Sequence, residues 1–371
     1  MGMGPLLAIG CPRPITPYQE VAPLSGHSLV EGLCSAEGQL VSKYGYPSET
    51  HTLTTSDGYV LNMHRIPYSR KSPNVQKRPA VFVQHGMMGS SADYVIPGPE
   101  SSLAYLLADA GYDVFLGNCR GNTYSKKHVS LTPTDLQYWD FSWHEMAMFD
   151  VTAQIDHILR TTNQSQVYYI GMSMGTTLFF ALMSERPEYN QKVKLMVALA
   201  PIAYFDRMSK SIILTRNMSA PMLQLASTLQ LREIQIPKWI NELWSESLCP
   251  TWLGFNTCLN KFYMGIKTSD LNYLNKHWDY GLEENLLKYK QEDPPEYNVA
   301  AITTPIAFLY SQGDELSSVN GAENLCTKVQ NCAELYQVPR NNFKHMDFVL
   351  GLAVDAKTLI YDKILELLSK H

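Results

Sequence analysis

Long apolar runs, basic clusters and nucleotide-binding glycine patterns are all missing from this sequence of 371 residues. No apolar run approaches the roughly 20 residues that a membrane-spanning helix needs, because the longest, Leu195–Phe205, is interrupted by Pro201. The formal net charge is −5 and no basic run occurs, which argues against a nucleic-acid partner. There is no P-loop and no G-x-G-x-x-G after a strand, and His144-Glu145 lacks the second histidine of an H-E-x-x-H zinc motif. We therefore expect no cofactor and no metal.

Signals for secretion are weak when they are taken from the residues alone. The opening MGMGPLLAIG has a short apolar core, but no positive charge precedes it, and glycine and proline interrupt it. It is therefore a poor signal peptide. Two N-x-S patterns, at Asn163 and Asn217, are candidate glycosylation sites, although such tripeptides are common by chance.

Cysteine is scarce, with seven residues and no C-x-x-C pair. The odd number leaves at least one thiol free or bonded to another molecule. Cys249 and Cys258 flank a loop that contains Trp, Gly and Phe, and they could form a short disulfide. Cys326 and Cys332 are a second possible pair, and a fully reduced, cytosolic protein is the remaining alternative.

Short apolar strands alternate with helices over most of the chain. Thr50–Ile66 predicts two strands around a turn at Ser56-Asp57-Gly58. Further strands are predicted at Ala80–Gln84, Tyr112–Leu116, Val167–Ile170, Lys194–Ala200, Ile306–Tyr310 and Glu334–Val338, and helices at Leu103–Ala110, Trp143–Arg160, Ala322–Val329 and Lys357–Lys370. This alternation indicates an α/β protein with a mostly parallel central sheet and helices on both faces.

The alternation stops between residues 205 and 301, which contain four of the six tryptophans. We predict that residues 205–301 form a mainly helical cap over the carboxyl edge of the sheet, where open α/β sheets bind ligands. The core would then comprise residues 44–204 and 302–371, after an N-terminal segment of residues 1–43 whose order the sequence leaves uncertain. The aromatic residues suit a lid over an apolar substrate, but they are equally explained as the core of the insertion.

The strand at Val167–Ile170 runs directly into Gly171-Met172-Ser173-Met174-Gly175, and a helix-length apolar segment follows. A G-x-S-x-G pattern between a strand and a helix predicts a nucleophile elbow, in which a sharp turn pushes the serine oxygen out above the sheet. The backbone is crowded there, so the positions two before and two after the serine must be small. Ser173 is therefore the predicted nucleophile.

A serine nucleophile needs a base and a group that orients the base. In α/β-hydrolases these follow the serine in the order acid, then histidine. Asp314 comes just after the strand Ile306–Tyr310 and is the predicted acid, with Glu315 as the alternative. His345 is the only histidine between the last predicted strand and the last helix, and it is the predicted general base and acid.

The oxyanion hole requires two backbone N–H groups. One is expected from Met174, directly after the nucleophile, and the other from Met87, in the loop after the early strand Ala80–Gln84. His85 in the same loop is expected to be structural rather than catalytic.

With these features in place, the sequence from about Tyr44 to its C-terminus resembles the acid lipase family of the α/β-hydrolase superfamily, which includes gastric and lysosomal acid lipases and insect relatives. The resemblance is carried by long motifs, which are Leu107-Ala-Asp-Ala-Gly-Tyr-Asp-Val-Phe-Leu-Gly-Asn-Cys-Arg-Gly-Asn122, Asp140-Phe-Ser-Trp-His-Glu-Met-Ala147, Ala198-Leu-Ala-Pro201 and Lys344-His-Met-Asp-Phe348. The elbow differs, because Met172-Ser173-Met174 stands where the vertebrate enzymes have His-Ser-Gln, and in this it is similar to some insect members.

The resemblance implies a secreted or lysosomal serine hydrolase that cleaves neutral lipid esters, either triacylglycerols or steryl esters, at a lipid–water interface. It also implies a disulfide between Cys249 and Cys258 and a mobile lid around that loop. We expect a monomer or a weak oligomer. Two alternatives remain open, a carboxylesterase for smaller esters and a non-catalytic lipid-binding protein on the same fold.

Overall fold

A computed structural model of the chain describes residues 6–8, 37–73, 77–203, 233–235, 276–277, 282–350 and 356–371. The strands in these ranges are β1 (Leu6–Ala8), β2 (Glu49–Thr54), β3 (Tyr59–Ile66), β4 (Ala80–Gln84), β5 (Asp113–Leu116), β6 (Lys127–His128), β7 (Val167–Met172), β8 (Val193–Leu199), β9 (Glu233–Gln235), β10 (Ile306–Tyr310) and β11 (Cys332–Gln337). The α-helices are α1 (Glu37–Lys43), α2 (Leu103–Asp109), α3 (Trp143–Glu145), α4 (Thr152–Thr162), α5 (Met174–Glu185), α6 (Leu282–Tyr289), α7 (Val319–Lys328), α8 (Asp347–Leu350) and α9 (Asp362–Lys370).

One large sheet carries the fold, with the strand order β11-β10-β8-β7-β4-β5-β3-β2 and β6 beside β3. The six strands from β11 to β5 run parallel, whereas β3 pairs antiparallel with β5 and β2 pairs antiparallel with β3. The parallel strands therefore all end at the same edge, with β7 near the middle. Loops that follow β4, β7 and β10 are brought together at that edge.

Both faces of the sheet are buried at the central strands β4, β5, β7 and β10, and this explains why these strands are mostly apolar without alternation. Successive side chains of a strand point to opposite faces. Accordingly, Tyr169 of β7 packs in a cluster with Phe179 of α5, whereas Ile170 packs in a second cluster with Phe348 of α8. Helices therefore cover the two faces, as the sequence predicts.

Several predicted elements are confirmed, among them β4, β10 and the antiparallel pair β2–β3 around the turn at residues 56–58. The helix predicted over Trp143–Arg160 is not regular, because Met146–Val151 forms a π-helical turn between α3 and α4. Helix α1 lies at the end of the N-terminal segment 1–43, for which the sequence predicts no element.

Cys326 and Cys332 form a disulfide between α7 and β11, so the fully reduced alternative is wrong for this pair. The pairing of Cys249 with Cys258, the Asn217 acceptor and most of the predicted cap lie outside the described residues. In the ranges that the structure describes, no helix has the length and apolar character needed to cross a bilayer.

Candidate active site

Ser173 lies at the turn between β7 and α5, and its backbone is forced into an unusual conformation. Its φ is 53° and its ψ is −120°, a region that normally requires glycine. A Cβ on Gly171 would lie 2.8 Å from the carbonyl oxygen of Gly175, and a Cβ on Gly175 would lie 2.6 Å from that of Gln84. Both contacts are shorter than real Cβ atoms tolerate, so the turn requires glycine at these two positions.

Asp314 and His345 are joined by a hydrogen bond of 2.7 Å between Oδ2 and Nδ1. The other carboxylate oxygen, Oδ1, accepts the N–H groups of Leu316 at 2.8 Å and Ser317 at 3.0 Å. Both carboxylate oxygens therefore take part in hydrogen bonds, and these bonds fix the orientation of the Asp314 side chain. Because the carboxylate accepts, Nδ1 carries the proton and the lone pair of neutral His345 is on Nε2.

Glu315, the alternative acid, has a different environment. Its side chain is 46% exposed, and its carboxylate lies 3.8 Å from the ammonium of Lys344. Among the described residues, the carboxylate hydrogen-bonded to His345 is that of Asp314.

The loops that carry Asp314 and His345 are packed directly on each other. A Cβ on Gly313 would lie 2.7 Å from the carbonyl oxygen of Phe343, and the hydroxyl of Ser311 donates to the same oxygen. Within the histidine loop, Asp347 accepts the N–H of Lys344 at 2.6 Å. Backbone contacts between the two loops therefore set the distance between Asp314 and His345.

The loop after β4 lies against the nucleophile. A Cβ on Gly86 would lie 2.9 Å from Sδ of Met172 and 3.2 Å from Cβ of Ser173. Met174 opens α5, so its N–H has no partner within the helix. In the described residues neither the N–H of Met87 nor that of Met174 donates a hydrogen bond to the protein. Both N–H groups are therefore available to a ligand.

His85 is buried in this loop, 2% exposed, and burial lowers its pKa to about 4 despite a hydrogen bond to the Gly86 carbonyl. It is therefore neutral above that pH. Its other ring nitrogen faces the loop after β5, where Cys119 and Asn122 donate to it. The sequence did not reveal these partners, because Cys119 and Asn122 are far from His85 along the chain and meet it only through the pairing of β4 with β5.

The loop after β5 is itself anchored by Arg120, which is almost completely buried. Its guanidinium binds Asp57 at 2.6 Å and Asp150 at 2.7 Å, and it stacks 3.9 Å above the ring centre of Tyr59. Burial opposes the charged form of Arg120, but the two carboxylates outweigh it and raise its pKa. Asp150 also accepts the backbone N–H of Arg120 at 2.9 Å, so the cluster fixes the backbone as well as the side chain.

Within the described part of the chain, no hydrogen bond joins the hydroxyl of Ser173 to His345. Such contacts are often long without substrate and tighten when it binds. Of the same residues, no three His, Cys, Asp or Glu side chains are grouped so that they could hold a metal ion.

Two family models match the chain. One, described as a partial alpha/beta-hydrolase lipase region, covers residues 38–98, and the other, described as the alpha/beta hydrolase fold, covers residues 79–351. Among solved structures, an esterase from Pyrococcus furiosus is similar with a TM-score of 0.52 at 14% identity, over 98% of each chain. At that identity the likeness concerns the fold alone.

Curated relatives are considerably closer in sequence. The chain is 37% identical to Lipase 1 of Drosophila melanogaster over 90% of this chain and 79% of the relative. It is 34% identical to the gastric triacylglycerol lipase of Bos taurus, and 34% identical to the lysosomal acid lipase/cholesteryl ester hydrolase of Macaca fascicularis, in both cases over 90% of each chain.

Proposed function

This chain belongs to the α/β-hydrolase family, among the lipases of the gastric and lysosomal type, and on that basis we propose how it acts on its substrate. It is a carboxylic ester hydrolase that cleaves neutral lipid esters, either triacylglycerols or steryl esters. The fold and the family that the sequence predicted are confirmed. The roles of individual residues are our proposal, and the geometry of the site supports them.

Ser173 is the nucleophile and His345 the base. As Ser173 Oγ bonds to the ester carbonyl carbon, Nε2 of His345 takes the hydroxyl proton, and it then gives this proton to the leaving alcohol. Water attacks the acyl-enzyme by the same route, which releases the fatty acid and restores the serine. Asp314 holds the proton on Nδ1 and stabilises the imidazolium that forms during each transfer. The contact of 2.7 Å between Asp314 and His345 is the observation that supports these roles.

The oxyanion of each tetrahedral intermediate is bound by the N–H groups of Met87 and Met174. The two amides have no other acceptor in the described residues, and the Gly86 backbone lies beside Ser173. Donors that are fixed before the reaction do not have to reorganise as charge develops, and removal of one typically slows an enzyme by about 10²–10³-fold.

The substrate class is tested by a chain-length series of ester substrates with wild-type protein and the Ser173→Ala variant. We expect wild-type turnover to be highest on emulsified long-chain triacylglycerol or steryl oleate, and turnover by Ser173→Ala to be lost on every ester. Activity restricted to short, dissolved esters would instead favour a carboxylesterase. A wild-type protein that binds these lipids without cleaving them would indicate a carrier.

We also propose that residues 205–301 form the cap over this site, inserted between core segments 44–204 and 302–371, and that Cys249 and Cys258 close a loop in it. A secreted or lysosomal location is supported by the relatives named above and by the Cys326–Cys332 disulfide, which is typical of oxidising compartments. Asn163 is exposed just beyond the last residue of α4, where a glycan has room.

A further inference from the structure

The ring of His85 connects the loop after β4 to the loop after β5 through three hydrogen bonds. Nδ1 lies 2.6 Å from the carbonyl oxygen of Gly86, while Nε2 lies 3.1 Å from the N–H nitrogen of Cys119 and 3.3 Å from Nδ2 of Asn122. A carbonyl oxygen only accepts and a backbone N–H only donates. These partners therefore require one tautomer, with the proton on Nδ1 and the lone pair on Nε2.

The orientation of the Asn122 amide is fixed independently of His85. Its Oδ1 accepts the N–H groups of Tyr124 at 2.9 Å and Ser125 at 3.1 Å. The amide nitrogen must therefore face the other way, where it donates to Oδ1 of Asn118 at 2.7 Å and points to the His85 ring. The N–H of Cys119 and the amide nitrogen of Asn122 are both donors, so Nε2 of His85 must be an acceptor.

The carbonyl that His85 binds belongs to the peptide unit between Gly86 and Met87. A peptide unit is planar, so an orientation imposed on its C=O is also imposed on its N–H. That N–H is the one on Met87 that we assign to the oxyanion hole. A hydrogen bond to the carbonyl oxygen also polarises the N–H of the same unit and makes it a stronger donor.

We propose, on the premise that the chain is a serine hydrolase with Met87 in its oxyanion hole, that His85 and Asn122 are positioning residues. Asn122 and the Cys119 N–H hold His85 in the Nδ1–H tautomer, and His85 in turn aims the Met87 N–H at the developing oxyanion. Arg120 anchors the loop after β5, which carries Cys119 and Asn122, through its contacts with Asp57 and Asp150. Neither His85 nor Asn122 touches the substrate.

Two substitutions of His85 separate its ring nitrogens. The amide nitrogen of Asn in His85→Asn can occupy the position of Nδ1 and still donate to the Gly86 carbonyl. The amide oxygen of Gln in His85→Gln can occupy the position of Nε2, which keeps the acceptor but loses that donor. We expect His85→Asn to keep kcat within about 10-fold, and His85→Gln to lower kcat by about 10²–10³-fold with little change in KM, the size of an oxyanion donor.

A second readout separates positioning from simple loss of structure. Rates are expressed per active site titrated with an organophosphonate, and the affinity for a long-chain trifluoromethyl ketone, a tetrahedral analogue, is measured beside that for a non-cleavable ether lipid. The ketone affinity should fall in parallel with kcat/KM in His85→Gln, while the ether affinity stays constant. Equal kcat in the two variants, or equal losses for both ligands, would overturn the proposal.

The tautomer is checked on unmodified protein, so the test does not depend on a variant that folds. Nitrogen-15 NMR of histidine-labelled wild-type protein should show neutral His85 with the proton on Nδ1 at pH 7. A proton on Nε2 would refute the positioning role even if the hydrolase is active. Absence of any phosphonate labelling or ester cleavage by the wild type would instead refute the hydrolase assignment itself.

Discussion

The backbone conformation of Ser173 predicts that the inactive variant Ser173→Gly is more stable than the inactive variant Ser173→Ala, although glycine is usually the less stable of the two. With φ 53° and ψ −120°, the residue occupies the conformation of the first central residue of a type II′ turn, where glycine dominates. A residue with a Cβ in such a sparsely populated region costs about 1–3 kcal/mol. The surrounding contacts of Gly171 and Gly175 leave the turn no freedom to relax.

Ser173→Ala and Ser173→Gly both remove the hydroxyl, so the difference between them isolates the backbone. Alanine keeps the strain of about 1–3 kcal/mol. Glycine relieves this strain, but it increases the conformational entropy of the unfolded chain, which lowers stability by about 0.5–1 kcal/mol. Ser173→Gly should therefore be the more stable variant by about 1–2 kcal/mol. At an ordinary helical position glycine is instead less stable than alanine by about 1 kcal/mol.

Urea unfolding of the two variants, followed by circular dichroism, measures this difference as a shift in midpoint at equal slope. The exposed Arg160 in α4 supplies the matched control, because Arg160→Gly should be less stable than Arg160→Ala. If Ser173→Ala is as stable as Ser173→Gly or more so, the turn is not strained and the geometric argument for the elbow fails.

Asp314→Asn should lower kcat by about 10³–10⁴-fold. Its Oδ1 must remain an oxygen to accept two N–H donors, so the amide nitrogen is forced toward Nδ1 of His345. The control Glu315→Gln should change steady-state kcat less than threefold, and equal losses in the two variants would contradict the assignment of Asp314. Loss of the Cys326–Cys332 disulfide in a double Ser variant should destabilise the fold by about 2 kcal/mol in urea unfolding, since it closes a short loop, and an unchanged midpoint would refute this. His85 has a pKa of about 4 in the fold, whereas a histidine in the unfolded chain binds a proton below about pH 6.5. Stability should therefore fall as the pH drops from 6.5 to 4, by about 3 kcal/mol at pH 4. The urea midpoint of His85→Asn, which has no imidazole to titrate, should fall less over this range, and equal pH dependence of the two midpoints would contradict a buried neutral His85.

The parts of the site that depend on local chemistry could be predicted from the sequence. The spacing of Gly171 and Gly175 around Ser173 reflects a steric demand within five residues, and the structure gives the contacts behind it. The assignment of Asp314 and His345 used chain order and the ends of strands, which a parallel sheet brings to one edge. The roles of these residues remain predictions that the variants above test.

Contacts between distant, individually ordinary residues could not be predicted in this way. His85 and Asn122 are 37 positions apart and meet only because β4 and β5 are neighbours in the sheet. The π-helical turn at Met146–Val151 was missed because the period of its apolar residues resembles that of an α-helix. The pairing of Cys326 with Cys332 stayed open because spacing alone does not specify the approach of α7 to β11.

The central claim is that Ser173 is an activated nucleophile, and covalent labelling tests it most directly. A long-chain alkyl organophosphonate fluorescent probe is incubated with the wild type, with Ser173→Ala and with Asp314→Asn, and the labelled peptide is sequenced by mass spectrometry. We predict one label per wild-type chain on Ser173, suppressed by long-chain ester, none on Ser173→Ala and slow labelling of Asp314→Asn. A wild-type chain that stays unlabelled, or a label on another serine, would contradict the account.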